Sequence, residues 1–344
     1  MSIAVLIATH NASSFIGETI DSLSRQQRQP DEVIIVDDSS TDNTVDIVGT
    51  WARSQPFDVK IIQNELKQEA GATPGPAGCR TTGLRKVSAD LVAILDHDDL
   101  FLPSHLRLTE QALLRNPDME LCFGDATEFQ GGGATIPALN KNMFCGKNIE
   151  LLPYRSADDG LRILTQPMFE SLLPGNYVPT AANLWRRKTA VMIGGFDRRA
   201  GGSDDLKFFA TLSRLGSVGY FPFPIARKRV HLENLSHPRN ALRSCWDHIS
   251  VLLLLQEDAK LLNLTRGEVV SIESQIEILK GDIGYHSSKR GIGTYWEYRN
   301  RLGYTLRPKD LVRSLYWDGR GLYDRQAAAL GLSSSVSSSP PVSV

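Results

Sequence analysis

Three times in the first hundred residues a short, uninterrupted apolar run stops at a cluster of polar or acidic side chains. Ile3-Ala4-Val5-Leu6-Ile7-Ala8 ends at Thr9-His10-Asn11, Val33-Ile34-Ile35-Val36 ends at Asp37-Asp38-Ser39-Ser40-Thr41-Asp42, and Leu91-Val92-Ala93-Ile94-Leu95 ends at Asp96-His97-Asp98-Asp99. Apolar runs without alternation fit strands buried on both faces, the situation of parallel strands covered by helices. Between the runs, Phe15, Ile16, Ile20 and Leu23 recur at helical spacing, as do Val45, Val48 and Trp51. The pattern predicts an α/β fold: a mostly parallel sheet flanked by helices, with ligands at the carboxyl ends of the strands. Asn11 to Ser14 offer capping oxygens for the first helix, and Ser39 or Ser40 for the second.

The same reading extends along the chain. Further strands are expected at Val59 to Gln63 and Glu120 to Asp125, and helices at Cys79 to Val87, Pro103 to Leu114 and Asp205 to Leu215. Residues 131–179 are rich in Gly, Pro and Asn with little periodicity, which predicts loops and short helices over the site. From Asn240 the pattern is helical, with Leu242, Trp246, Ile249 and Leu253 on one face and Val269, Ile272, Ile276 and Leu279 on another. Residues 1–236 are therefore expected to form the α/β domain, 237–332 an α-helical C-terminal extension, and the Ser/Pro/Val stretch 333–344 a disordered tail.

Composition narrows the function classes. Lys+Arg number 38 against 39 Asp+Glu, so the broad positive field of a general nucleic-acid binder is missing and an anionic ligand must be held by local charge. Cys79, Cys122, Cys145 and Cys245 show no C-x-x-C spacing, which argues against a thiolate zinc site or disulfide scaffold and suits a reducing compartment. The first residues lack the basic region and cleavage site of a signal peptide, and the strongest apolar run, Ile249 to Leu255, falls far short of the roughly 20 residues a membrane span requires. A cytoplasmic protein without a transmembrane span is expected. The basic stretches Arg186-Arg187-Lys188 and Arg227-Lys228-Arg229 suit either a solvated face or contact with an anionic acceptor or the cytoplasmic membrane surface.

The strand-end carboxylates carry the chemistry. Asp96, Asp98 and Asp99 crowd within four residues, and such like charges suit either a solvated, helix-capping turn or oxygen ligation of a hard cation, Mn2+ or Mg2+, that brings a phosphate-bearing ligand. The segment Gly75-Pro76-Ala77-Gly78-Cys79-Arg80 opens a helix with backbone amides and an arginine, either a tight turn or an anion site. Asp204-Asp205 after Gly201-Gly202-Ser203 serve as helix-dipole partners or include a general base. His231 is either structural or a ligand to metal or phosphate.

Taken in order, Ile7-Ala8-Thr9-His10-Asn11, Val36-Asp37-Asp38-Ser39-Ser40-Thr41-Asp42, Gly75-Pro76-Ala77-Gly78-Cys79-Arg80-Thr81-Thr82-Gly83-Leu84, Leu95-Asp96-His97-Asp98-Asp99, Gly194-Gly195-Phe196-Asp197 and the pair Asp204-Asp205 resemble the family 2 glycosyltransferases of GT-A fold. The resemblance covers residues 2–236. It implies a nucleotide-sugar-binding half (1–125), an acceptor and catalytic half (126–236), and inverting transfer of a single sugar from a nucleotide-diphosphate donor, UDP-linked by preference, to a hydroxyl of a glycan, glycolipid or protein.

By position, Thr9, Asn11 and Asp38 match donor-binding residues, Thr9 and Asp38 at the nucleobase, with Arg80 at the base or pyrophosphate. His97 matches a place by the ribose, Asp98 the metal ligand supported by Asp96, and His231 a histidine near pyrophosphate and metal. Asp205 is the expected base, with Asp204 as the competing choice. The Cys79-Arg80-Thr81 triplet and the Asp-Asp pair depart from the family's usual Ala-Arg-Asn and Glu-Asp. No Gln-x-x-Arg-Trp follows the pair, which argues against a processive synthase. Competing expectations are sugar-phosphate nucleotidyl transfer and a non-catalytic nucleotide-sugar-binding scaffold. An oligomer through the C-terminal helices is compatible with the pattern.

Overall fold

In the computed structural model, which describes residues 1–66, 75–130, 149–303 and 307–329, the apolar runs lie side by side in one sheet. Strands β1 (Ile3–Thr9), β2 (Glu32–Asp37), β3 (Asp58–Gln63) and β4 (Leu91–Ile94) pair in parallel in the order β3-β2-β1-β4. Every residue of β2 and β4 is buried, which explains why no polar alternation interrupts them. Helices α1 (Ile16–Ser24), α2 (Thr44–Ala52), α3 (Ala77–Lys86) and α4 (His105–Arg115) follow their strands closely at the expected places. Gly83 lets α3 settle onto the sheet, because a Cβ there would run into Leu6 Cδ1 on β1.

Beyond β4 the sheet changes character. Strand β6 (Met119–Phe129) continues well past the expected Asp125, and β9 (Asn183–Arg186) inserts antiparallel between β4 and β6. The edge is completed by β5 (Leu100–Phe101), β7 (Tyr154–Ser156), β8 (Arg162–Leu164) and β10 (Ser217–Arg229). Strand β10 runs parallel to β6 with register shifts between Phe221 and Ala226, where Pro222 and Pro224 interrupt the ladder. Its first part pairs with β8 and its second with β5. This long strand, which the residue pattern did not indicate, carries Arg229 and His231 back to the strand ends of the first half.

The capping expectations are corrected. The N-cap residues of α1 and α2 are Phe15 and Asn43, neither of which makes a side-chain cap, and the Thr44 amide at the start of α2 donates to Asp42 Oδ1 (3.0 Å). The amides of Ala12 and Ser13 are instead bound by Thr44 Oγ1 (2.7 Å) and Asp42 Oδ2 (3.0 Å), and Ser40 Oγ accepts from the Asn11 amide (2.9 Å), so these polar residues tie the loops after β1 and β2 together.

Helices α5 (Phe169–Leu172), α6 (Arg187–Met192) and α7 (Asp204–Leu215) cover the second half, and α8 (Ala241–Glu257) packs on α7 and on the 3-10 turn Arg198–Ser203. On α8 the buried face includes Leu242, Ile249, Val251, Leu252 and Leu255, whereas Leu253 is exposed. The chain divides into two compact units, 1–275 and 276–344, and the boundary falls within helix α9 (Arg266–Ser288). The second unit contains the rest of α9, α10 (Ile292–Leu302) and α11 (Pro308–Ala329). The expected tail, Cys145 and most of the Gly-rich stretch after Gln130 lie outside the described residues. Cys79 and Cys122 are buried free thiols and Cys245 is half-buried.

Candidate active site

The loops leaving β1, β2 and β4 meet at one end of the sheet, as the topology of parallel strands requires. Thr9 stands directly across from Asp37. Asn11 and Ser39 both take left-handed backbone conformations (φ 47° and 62°), turning the two loops sharply. Thr41 donates its amide to Asn11 Oδ1 at 2.8 Å. A cavity of about 260 Å³ opens beside these loops, lined by Asp38, Ser39, Asn64, Gly75, Gly78 and Arg198 among others. Asn64 Nδ2 donates to Asp38 Oδ1 at 2.9 Å, orienting that exposed carboxylate on the cavity wall. Thr9 is buried, and its Oγ1 has no hydrogen-bond partner among the described residues.

Arg80 sits in the first turns of α3, buried to 4% exposure. Its guanidinium does not point toward the cavity as an anion ligand. NH1 grips both oxygens of Asp204 at 3.0 and 2.9 Å, and NH2 donates to Asp96 Oδ1 at 2.7 Å. Arg80 thereby bridges the strand-end loop and the start of α7. Burial opposes the charge on Arg80, but Asp204, Asp96 and Asp205 outweigh it and raise its pKa further.

Asp96 is completed by Thr180, whose hydroxyl donates to Oδ2 at 2.6 Å. Burial works against its ionisation, yet Arg80 and Thr180 hold its pKa below the ordinary value. His97, the next residue, turns its Nδ1 to the Ala8 carbonyl at 3.2 Å, against the end of β1.

Asp204 and Asp205 begin the same helix in different surroundings. Asp204 is fully buried, and its pKa is raised to about 7 by burial, with Asp205 and Asp96 adding to the effect and Arg80 opposing it. Asp205 is half-buried; Asn176 Nδ2 donates to its Oδ2 at 2.9 Å and its own Oδ1 accepts from the Leu206 amide at 2.7 Å. Burial also raises the pKa of Asp205, with Arg80 acting against it and Asp96 with it. Only Asp205 is free of the arginine grip, which makes it the better placed of the two to take a proton from a bound hydroxyl.

Asp98 lies on the other side of Asp96. His231 Nε2 approaches its Oδ2 at 2.8 Å, and Asn234 Nδ2 donates to the same oxygen at 3.2 Å. Phe15 stacks on the His231 ring with centroids 4.7 Å apart. Behind this pair, Asp99 Oδ1 accepts from the Arg229 amide at 2.8 Å, and Arg229 Nε donates to the Asp98 carbonyl at 2.9 Å. Burial, with Asp98 and Asp96 close by, pushes the Asp99 pKa well above the usual carboxylate range. Among the described residues no group of three or more His, Cys, Asp and Glu side chains is arranged to hold a metal. Asp98 and His231 fit a divalent cation as a two-donor set, an oxygen and a nitrogen, whose remaining positions belong to ligand oxygens and water.

The sequence reading missed the neutral and cationic partners: Thr180 on Asp96, Asn176 on Asp205, Asn234 on Asp98, Asn64 on Asp38 and Arg229 behind Asp98 and Asp99. Asn and Thr in the loops around the site were the available signal, but single polar residues in loops name no partner. Three cations of the two basic stretches have partners within the protein. Arg186 donates to the carbonyls of Met119, Leu113 and Asn116, Arg229 is buried, and Arg227 stacks over Phe129, so these three cations serve the protein's own structure, while Lys188 is exposed.

Residues 4–142 match the family model "Glycosyl transferase family 2". Over 114 residues the chain is 29% identical to the UDP-Glc:alpha-D-GlcNAc-diphosphoundecaprenol beta-1,3-glucosyltransferase WfgD of Escherichia coli, covering 33% of this chain and 42% of that protein. The chain spans 31% to 43% of the length of four such curated relatives. Its fold is similar to the mannosyltransferase PcManGT from Pyrobaculum calidifontis, solved with GDP-Man and Mn2+ (TM-score 0.56, 16% identity, covering 96% of this chain and 81% of that one). It is likewise similar to S. aureus TarS 1-349, solved in complex with UDP (TM-score 0.50, 15% identity, 89% and 93% covered).

Proposed function

We propose that the chain, whose residues 4–142 match the family 2 glycosyltransferases and whose fold is of the GT-A kind, transfers a single sugar from a nucleotide-diphosphate donor, UDP-linked by preference, to an acceptor hydroxyl with inversion. The observation that supports this reading is that Asp38 stands in the loop after β2, Asp96 and Asp98 in the loop after β4, and that Arg80 and His231 tie this last loop to the start of α7, which carries Asp205, and to the segment after β10.

Thr9, Asn11 and Asp38 are assigned to the nucleobase end of the donor. The exposed Asp38 carboxylate, oriented by Asn64 on the cavity wall, supports that placement, since its second oxygen can accept from a ligand N–H. His97 is assigned a place by the ribose. Asp98 and His231 would hold Mn2+ or Mg2+, which supplies charge stabilisation for a departing diphosphate. Asn234 and Arg229 keep Asp98 in place.

Asp205 is assigned as base. A single inverting displacement needs one proton acceptor opposite the leaving group, and a carboxylate whose pKa is raised by burial is a stronger base than an ordinary one. Asn176 fixes one of its oxygens. Arg80 acts as a strut in this scheme: by holding Asp96 and Asp204 together it sets the distance between the donor-side loop and the base-bearing helix.

Incubation with UDP-sugars, GDP-sugars and a panel of hydroxyl acceptors, with and without Mn2+, tests the reading. Release of nucleoside diphosphate coupled to a product of inverted anomeric configuration is expected. Pyrophosphate release from a nucleoside triphosphate and a sugar phosphate would assign nucleotidyl transfer instead, and donor binding without turnover over the whole panel would assign a binding protein.

A further inference from the structure

The second compact unit, 276–344, differs in chemistry from the first. It holds ten Lys and Arg against six Asp and Glu, while residues 1–275 hold 28 against 33. It contains six of the nine tyrosines and two of the five tryptophans, and none of the twelve phenylalanines. A basic segment whose aromatic residues all carry a polar handle has the composition of protein that sits at a boundary between water and lipid headgroups.

Helix α11 shows how that composition is arranged. Asp310, Ser314 and Asp318 recur at four-residue spacing and face inward: Asp310 and Ser314 are buried, and Asp318 Oδ2 accepts from the Ile292 amide at 2.8 Å at the start of α10. The opposite face carries Val312, Leu315 and Tyr316, exposed at 68%, 56% and 45%. Over residues 309–320 the helix therefore buries Asp310 and Ser314 and leaves Val312, Leu315 and Tyr316 in water, with Leu311 and Trp317 half-buried, an arrangement that burial of apolar surface does not favour. Lys309, exposed, stands one turn before Val312, while Arg313 on the flank of the same face is paired within the unit, its NH1 on Asp310 Oδ1 at 2.5 Å and its guanidinium over the Tyr285 ring at 4.5 Å. Near it, Lys289 Nζ lies 4.2 Å from the same ring.

We propose that this face of α11 docks onto an anionic lipid surface, with Val312, Leu315 and Tyr316 entering the headgroup and acyl boundary and the surrounding cations meeting lipid phosphates. The charge favours this occupant over a second copy of the chain, because two copies of a basic unit repel each other whereas an anionic bilayer attracts it. Among the described residues no helix is long and apolar enough to cross a membrane, so the contact is peripheral. The inference is independent of the sugar-transfer reading and stands whether or not transfer is observed.

Co-sedimentation of the full chain with phosphatidylcholine vesicles, and with vesicles containing about 30 mol% phosphatidylglycerol, tests it. Binding to the anionic vesicles is expected to exceed binding to the neutral ones by roughly tenfold and to fall as NaCl rises. Val312→Ser with Leu315→Ser is expected to reduce that binding by roughly fivefold while leaving the melting temperature in place. Lys309→Glu, at an exposed position, serves as a second variant should the first fail to fold, and should weaken binding to anionic vesicles alone. Equal binding to both vesicle types, no binding to either, or undiminished binding by both variants overturns the proposal. So does a concentration-dependent dimer, seen by light scattering, that the double variant abolishes, since it makes a second copy the occupant.

Discussion

Asp96 to Asp99 follow a buried strand, and Asp204 and Asp205 begin a helix; both segments pack carboxylates closely, and Arg80 touches one residue of each. Their compensation differs. At the strand end each carboxylate has its own partners: Arg80 and Thr180 for Asp96, His231 and Asn234 for Asp98, and the Arg229 amide for Asp99. At the helix start the one cation in contact, Arg80, sets its NH1 on both oxygens of Asp204 and leaves Asp205 to Asn176 and the Leu206 amide. A carboxylate gripped by a buried guanidinium is a structural anchor. A neighbour held only by an amide and a backbone N–H keeps basic character. The contrast teaches that in a row of acids, chemical role follows from the partner.

Breaking the helix-start side at its reactive member has the largest expected effect. Asp205→Asn should lower the transfer rate by about 10²–10⁴-fold with the donor Kd unchanged, measured by single-turnover kinetics and calorimetry. The same loss from Asp204→Asn, with Asp205→Asn active, would reverse the two roles. On the strand-end side, Asp98→Ala should cost about 10²–10³-fold and abolish the response of donor binding to Mn2+. A variant that still responds fully to Mn2+ would move the metal elsewhere.

Arg80→Ala cuts the link between the segments and leaves Asp204 buried without its cation. A loss of about 3–5 kcal/mol in unfolding free energy is expected, read from urea denaturation. Arg80→Lys keeps the charge but cannot reproduce the fork, so it should recover stability in part and lower kcat more than it raises KM for the donor.

The pH profile sharpens the comparison further. The base must be ionised to accept a proton, and burial raises the pKa of Asp205, so activity should rise with pH through a value above the ordinary carboxylate range and be lost below it. An acid limb near the unperturbed value of about 4 would contradict the assignment. The smallest effect is expected from Thr180→Val, which removes one hydrogen bond to Asp96 and should cost about 1 kcal/mol or less than tenfold in rate.

The first half of the sheet was legible in the residue pattern because β1, β2 and β4 are covered on both faces, and full burial writes itself as an unbroken apolar run. The second half was not. Strand β10 contains Gly219, Pro222 and Pro224, is only partly buried along its length, and pairs with three different strands, so no single periodicity describes it. The ends of α1 and α2 were misread in detail for a related reason: Ser39 or Ser40 was expected to cap α2, but Ser40 Oγ accepts from the Asn11 amide in the loop after β1, 29 positions away. The exposed apolar face of α11 was equally hidden, since apolar spacing reports that a helix has two sides and is silent on which one turns inward.

The sequence by itself determined that carboxylates would stand at the ends of buried parallel strands, because an apolar run long enough for one strand must deliver whatever follows it to the edge of the sheet. It also determined the near-neutral balance of charge and the candidate residues of the site. Only the tertiary structure decided which of those residues became partners. Arg80 and Asp204 are separated by 124 positions and Asp98 and His231 by 133, and each pair forms because a crossover or a long strand brings them within about 3 Å. Pairing at that range depends on shape and desolvation, and neither is written in local spacing.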